Sequence, residues 1–92
     1  MADLDIIIPV YNEGRNIIPV LEAFRSHVRT PYRVLICYDF DEDNTLAALQ
    51  GYPRDAVDIA LVKSAGRGPH DAIVAGLRAS TAPAVLVYLA DD

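Results

Sequence analysis

At 92 residues the chain has room for one domain built around a single hydrophobic core. A hydrophobic share of 52% against 23% charged residues excludes the polar, highly charged composition of disordered segments. Eight Lys and Arg stand against thirteen Asp and Glu, a formal charge of −5, which argues against a nucleic-acid partner because no basic surface is available to neutralise phosphates. A small phosphate-bearing ligand is still allowed, since backbone N–H groups or a divalent cation can supply the positive field. Cys37 is the only cysteine, so neither an internal disulfide nor a multi-cysteine zinc site is available, and a reducing, cytoplasmic location is expected. The acidic start, Asp3-Leu4-Asp5, is not a basic leader. No stretch approaches the roughly 20 apolar residues of a membrane span, so neither export nor a span is expected.

In chain order, Leu4 to Pro9 is a β-branched run closed by proline, the pattern of a strand buried on both faces. Tyr11 to Arg15 reads as a loop. Ile17, Val20, Leu21, Phe24 and Val28 then repeat at the spacing of one helical face, with Asn16 as the expected cap and Pro19 tolerated in the first turn. Tyr32 to Cys37 is a second strand. The acidic loop Asp39-Phe40-Asp41-Glu42-Asp43 leads into a short helix over Thr45 to Leu49 that stops at Gly51, and Asp41, Glu42 and Asp43 suit its cap and first turn. Val57 to Val62 is a third strand. Pro69 opens a third helix that runs to about Ser80, in which Ala72 and Gly76 are spaced to let the helix lie close to a sheet. Ala84 to Leu89 is a fourth strand, followed by Ala90-Asp91-Asp92. Cys37, inside an apolar strand, is expected in the core, and His27 and His70 have no partner ligands in sequence.

Strands alternating with helices across short connections predict a three-layer α/β open parallel sheet with helices on both faces and right-handed crossovers. With strand order 3-2-1-4 the order reverses beside strand one, and ligands of such sheets gather at the carboxyl ends of the strands around that reversal. Tyr11-Asn12-Glu13, Asp39 with Asp41, Lys63 through Arg67, and Asp91-Asp92 all stand at those ends and would share one cleft. The turn after strand one carries a single glycine, and no Gly-Lys-Ser or Gly-Lys-Thr occurs. Neither a dinucleotide-binding turn nor a P-loop is therefore present. Adjacent carboxylates such as Asp91 and Asp92 suit a hard divalent cation bridging protein and diphosphate oxygens.

Ile6-Ile7-Ile8-Pro9-Val10-Tyr11-Asn12-Glu13 resembles the opening of family-two glycosyltransferases, including dolichyl-phosphate mannose synthase-like enzymes. In that family the next strand ends in a stretch reading roughly Asp-Asp-Gly-Ser-x-Asp-x-Thr. Here it is similar to Tyr38-Asp39-Phe40-Asp41-Glu42-Asp43-Asn44-Thr45, where Asp39, Asp43 and Thr45 keep the pattern while Tyr38, Phe40 and Asp41 depart from it. Gly66-Arg67-Gly68 with Ala72 and Gly76 looks like the family's glycine-containing turn and helix, and Ala90-Asp91-Asp92 looks like the start of its Asp-x-Asp.

The resemblance implies a GT-A fold, with residues 1–92 as its amino-terminal, nucleotide-binding half truncated at the Asp-x-Asp region. It implies that Pro9, Tyr11 and Glu13 line the base and ribose pocket, that Asp39 bonds the base, that Arg67 approaches the diphosphate, and that Asp91 or Asp92 lies on the ribose or on Mg²⁺ or Mn²⁺. The expected function is donor binding for an inverting sugar transfer from a nucleoside-diphosphate sugar to an unknown acceptor. The general base would lie in the other half, so that these residues alone transfer nothing. The alternative is a non-catalytic α/β module that forms a homodimer through its exposed sheet edge. A phosphate-accepting receiver domain would need an acidic pair after strand one, where only Glu13 stands.

Overall fold

Three consecutive isoleucines decide how the sheet is covered, because successive side chains of a strand point to opposite faces. Ile6 and Ile8 turn to one face and Ile7 to the other, and all three are fully buried. The computed structural model describes residues 2–53 and 55–90. In chain order its elements are β1 (Leu4–Pro9), α1 (Ile17–His27), β2 (Tyr32–Tyr38), α2 (Asn44–Gln50), β3 (Ile59–Lys63), α3 (Gly68–Ala79) and β4 (Ala84–Val87). The strands form one sheet in the order β3-β2-β1-β4, with every neighbouring pair parallel. Strand order, strand direction and the helices on both faces are as the residue pattern predicts.

One core lies between the sheet and the pair α1 and α2, where Ile6, Ile8, Val34 and Ile36 meet Ile17, Leu21, Phe24 and Leu49. The other face joins Ile7, Leu35 and Cys37 to Ala72 of α3. Helix α3 comes so close that a Cβ built on Gly76 would stand 2.7 Å from Ile7 Cγ2 and 2.8 Å from Cys37 Sγ. Only glycine admits that approach in a close-packed interior. Burial pushes the Cys37 thiol up to about 11, so it stays a neutral core side chain.

Local departures from the sequence reading have local reasons. Asn16 occupies the cap position of α1, but its backbone is already helical and its side chain makes no cap bond. Its Nδ2 instead donates to Glu13 Oε1 at 2.9 Å. Strand β3 opens two residues after Val57, because Val57 is buried in the α1 and α2 core and the ladder begins where Asp58 O accepts Val34 N–H at 2.8 Å. Strand β4 stops at Val87, although Tyr88 N–H still donates to Ile7 O at 2.9 Å. Of the acidic run, Asp43 alone caps α2, accepting Thr45 N–H at 2.8 Å, while Asp41 pairs with Lys63 Nζ at 3.0 Å on the outside.

At the end of the sheet away from the proposed cleft, Asp5 is 0% exposed. Its carboxylate accepts Arg33 Nε at 3.1 Å and Arg33 Nη2 at 3.2 Å, the Ser80 hydroxyl at 2.8 Å, and the N–H groups of Thr81 at 2.8 Å and Ala82 at 3.0 Å. One buried carboxylate thus ties β2 and the connection from α3 to β4 onto β1. Burial by itself raises the Asp5 pKa, but the Arg33 guanidinium, Ala82 N–H, Ser80 hydroxyl and Thr81 N–H together outweigh it and hold the carboxyl well below its usual 3.8. A pKa lowered by folding stabilises the protein fully above the unfolded value near 4, and that contribution is lost as pH falls through the folded value. Asp5→Asn leaves the Arg33 charge and part of this cluster without a partner, a loss of about 3 kcal/mol at neutral pH. Urea titrations from pH 7 downward should therefore show a wild-type stability that falls below pH ~4 and a variant curve that is lower and flatter over that acid range.

Candidate functional site

At the carboxyl end of β1 the chain leaves the sheet, with Val10 N–H still bonded to Cys37 O at 2.9 Å. The next backbone N–H groups must find other partners, since unpaired ones are costly. The α2 amino-terminus provides them. Asp43, 2% exposed, accepts Asn12 N–H with both oxygens at 3.1 Å. Thr45 Oγ1 accepts Glu13 N–H at 2.9 Å, and Asn44 Oδ1 accepts Gly14 N–H at 2.8 Å. In return Asn12 Oδ1 accepts Asn44 N–H at 3.0 Å. Asn12 holds φ at 52°, a left-handed conformation that asparagine tolerates better than most residues. This clasp fixes Tyr11 and Glu13 on either side of Asn12.

Beside the clasp opens a cleft of about 960 Å³ whose lining includes Pro9, Tyr11, Glu13, Asp39, Phe40 and Arg67. Asp39 Oδ2 accepts Gly68 N–H at 2.8 Å, whereas Asp39 Oδ1 is buried and has no hydrogen-bond partner among the described residues. Gly68 has φ at 87°, which turns the chain into α3. Arg67 stands at the cap position of that helix, its N–H donating to Asp71 Oδ2 at 3.1 Å. Tyr11 is 68% exposed, and its ring lies 5.7 Å from that of Phe40 at an interplanar angle of 56°. Two aromatic residues, one carboxylate residue with an oxygen unpaired among the described residues, and one arginine therefore line one space, a combination suited to a flat heterocycle carrying an N–H and an anionic tail.

Of the residues singled out in the sequence, the structure brings Pro9, Tyr11, Glu13, Asp39 and Arg67 to this cleft. Asp91 and Asp92 lie outside the described residues. The last described residue before them, Ala90, is buried in the core that also holds Val10. Among the described residues no group of three or more His, Cys, Asp or Glu side chains could hold a metal ion. Sequence reasoning passed over Phe40 as a lining residue, and it passed over Asn12, Asn44 and Thr45 as the clasp. The available signals were the aromatic residue directly after Asp39 and the run of short polar side chains at a helix start.

The clasp makes Asp43 a support of the cleft as well as a helix cap. Asp43→Ala removes the cap and leaves Asn12 N–H unpaired, an expected loss of about 2 kcal/mol. Asp43→Asn keeps an acceptor oxygen and should lose less. The urea midpoints of the two variants against wild type measure the difference.

Residues 5–92 match a family model described as Glycosyl transferase family 2. The crystal structure of S. aureus TarS 1-349 in complex with UDP-GlcNAc shares the fold, with a TM-score of 0.76 and 24% sequence identity. The match covers 99% of this chain and 27% of that chain. No curated protein matches the sequence. The open parallel sheet is the one the resemblance to GT-A enzymes implied, and with the family model spanning nearly its whole length the chain belongs to glycosyltransferase family two.

Proposed function

We propose that this chain binds the nucleoside-diphosphate sugar of an inverting glycosyltransferase, with residues 1–92 as the amino-terminal donor part of the transferase domain. The observation that carries the reading is Asp39 Oδ1, a buried acceptor without a partner among the described residues, on a residue that lines the same cleft as Tyr11. A buried acceptor is expected to have a donor, and the ring N–H of a base is one. Because Oδ2 already takes Gly68 N–H, a single oxygen remains. Uracil offers a single ring N–H, whereas guanine presents an N–H and an amino group side by side and asks for both oxygens. The preferred donor is therefore a uridine diphosphate sugar, in keeping with the UDP-GlcNAc bound to TarS.

In this reading Pro9, Tyr11 and Glu13 hold the base and ribose, and Arg67 faces the diphosphate. Asp91 and Asp92 offer the hard oxygen donors that Mg²⁺ or Mn²⁺ prefers, and the ion would neutralise charge on the departing diphosphate. The acceptor site and its general base belong outside these residues, which is supported by the chain spanning 27% of the TarS chain's length. The free, buried Cys37 accords with the reducing cytoplasm as the place of action. Among the described residues no helix is long and apolar enough to cross a membrane.

Calorimetry of the 92-residue chain with UDP and GDP, each with and without Mn²⁺, tests the proposal. UDP should bind more tightly than GDP and Mn²⁺ should strengthen it. Asp39→Asn, which cannot keep both the Gly68 bond and the base bond, should weaken UDP by about tenfold. The same chain should release no UDP from a UDP-sugar above the uncatalysed background. Silence towards both nucleotides at about 1 mM, or equal binding by Asp39→Asn, would sink the donor reading.

A second reading rests on β4. Val85, Leu86 and Val87 are at least 40% exposed, and the edge strand Ala84–Val87 carries no charge or proline of the kind that usually blunts edges. Pairing with the β4 of a second copy would cover it. Sedimentation that depends on protein concentration and ignores nucleotide favours this module; a monomer at all concentrations removes it.

A further inference from the structure

Phe40 is an aromatic residue that neither core absorbs. It belongs to neither buried cluster, yet it lines the cleft between Asp39 and the clasp. The side chains on both sides are bonded elsewhere, Asp39 to Gly68 N–H and Asp41 outward to Lys63, while Phe40 O accepts Asp43 N–H at 3.3 Å. The Phe40 ring is therefore carried by a bonded loop rather than packed into either core. The one aromatic neighbour is Tyr11, at 5.7 Å and 56°. In the family pattern quoted above, this position is glycine.

Resting on the reading that the cleft takes a nucleotide, we propose that Phe40 is a base-binding residue, which with Tyr11 forms a two-ring wall for the donor's base. Centroids 5.7 Å apart leave no room for a base between the rings. A planar base instead stacks on one ring and meets the other at its edge, the two arrangements aromatic pairs prefer. From that position its N–H reaches the Asp39 side of the cleft. The wall acts on the base alone, so Phe40 governs affinity for the nucleoside and leaves the diphosphate contacts untouched.

Calorimetry on the 92-residue chain with uridine, UDP and inorganic pyrophosphate separates these contributions. Phe40→Gly should weaken uridine and UDP by the same factor, roughly five- to tenfold, and leave pyrophosphate unchanged. Phe40→Tyr should retain wild-type affinity, and Phe40→Leu, which keeps bulk without a ring, should behave like the glycine variant. Because Phe40 lies outside both cores, thermal melts of all three variants should stay close to wild type, and a variant that melts lower is read at a temperature where it remains folded. If wild type binds uridine and Phe40→Gly or Phe40→Leu binds it equally well, the aromatic wall is wrong while the donor reading stands. If wild type binds neither uridine nor UDP, both fail together.

Discussion

Three successive backbone N–H groups leave the sheet after β1 without a strand to bond them, and the side chains of Asp43, Thr45 and Asn44 accept all three. The cleft depends on this exchange. Tyr11 and Glu13 are on a loop, and loops carry function well only when something rigid fixes them. Here the rigid part is the first turn of α2, whose own end is completed by Asp43 bonding Thr45 N–H. One carboxylate satisfies a helix end and a loop together, so the geometry of the cleft is coupled to the stability of a seven-residue helix that would be too short to persist alone.

The two ends of the sheet use buried carboxylates in opposite ways. Asp5 is saturated with donors, including a guanidinium, and serves to hold the connection from α3 to β4 against β1. Asp39, half-buried at the carboxyl end, keeps one buried oxygen unpaired among the described residues. A saturated buried carboxylate is a structural tie, whereas an unsaturated one is a standing cost that a ligand donor relieves. The contrast separates scaffold from site without reference to any relative.

The layout of strands and helices was readable because each element has a local cause: β-branched runs ended by proline or glycine, an apolar helical stripe in α1, and the Ala72 and Gly76 pair that lets α3 approach the sheet. Short connections call for parallel strands with right-handed crossovers, while the order 3-2-1-4 enters as an assumption that the sheet bears out. The segments holding Tyr11, Glu13, Asp39 and Arg67 could be singled out because the carboxyl ends of parallel strands converge whatever the side chains are, whereas Pro9 and the choice among those segments came from the family resemblance. The clasp was not readable in the same way. It pairs residues about thirty positions apart, and Asn12, Asn44 and Thr45 look like ordinary loop and cap residues until register brings them together. Asp5 was hidden for a similar reason: its partners, Arg33 and the connection from Ser80 to Ala82, lie far along the chain, and nothing within an apolar strand announces them. Asn16 failed as a side-chain cap because Glu13 O already accepts the N–H groups of Asn16 and Ile17, which draws Asn16 into a helical conformation.

Charge is the remaining constraint on the cleft. Among the described residues its lining carries Glu13 and Asp39 against Arg67, on a chain of formal charge −5. A diphosphate entering that field meets one guanidinium and two carboxylates. Asp39 is partly screened by its Gly68 bond, and Glu13 by Asn16 Nδ2, but neither bond changes the sign of the charge. Anion binding in such a field gains from positive charge beyond Arg67, from backbone N–H groups or a divalent ion, which is the physical reason a divalent ion belongs in the donor proposal. It is also the reason aromatic contact with the base matters. In that proposal Tyr11 and Phe40 would attract the base, an uncharged part of the ligand, and such an attraction is insensitive to the negative field the phosphates have to overcome.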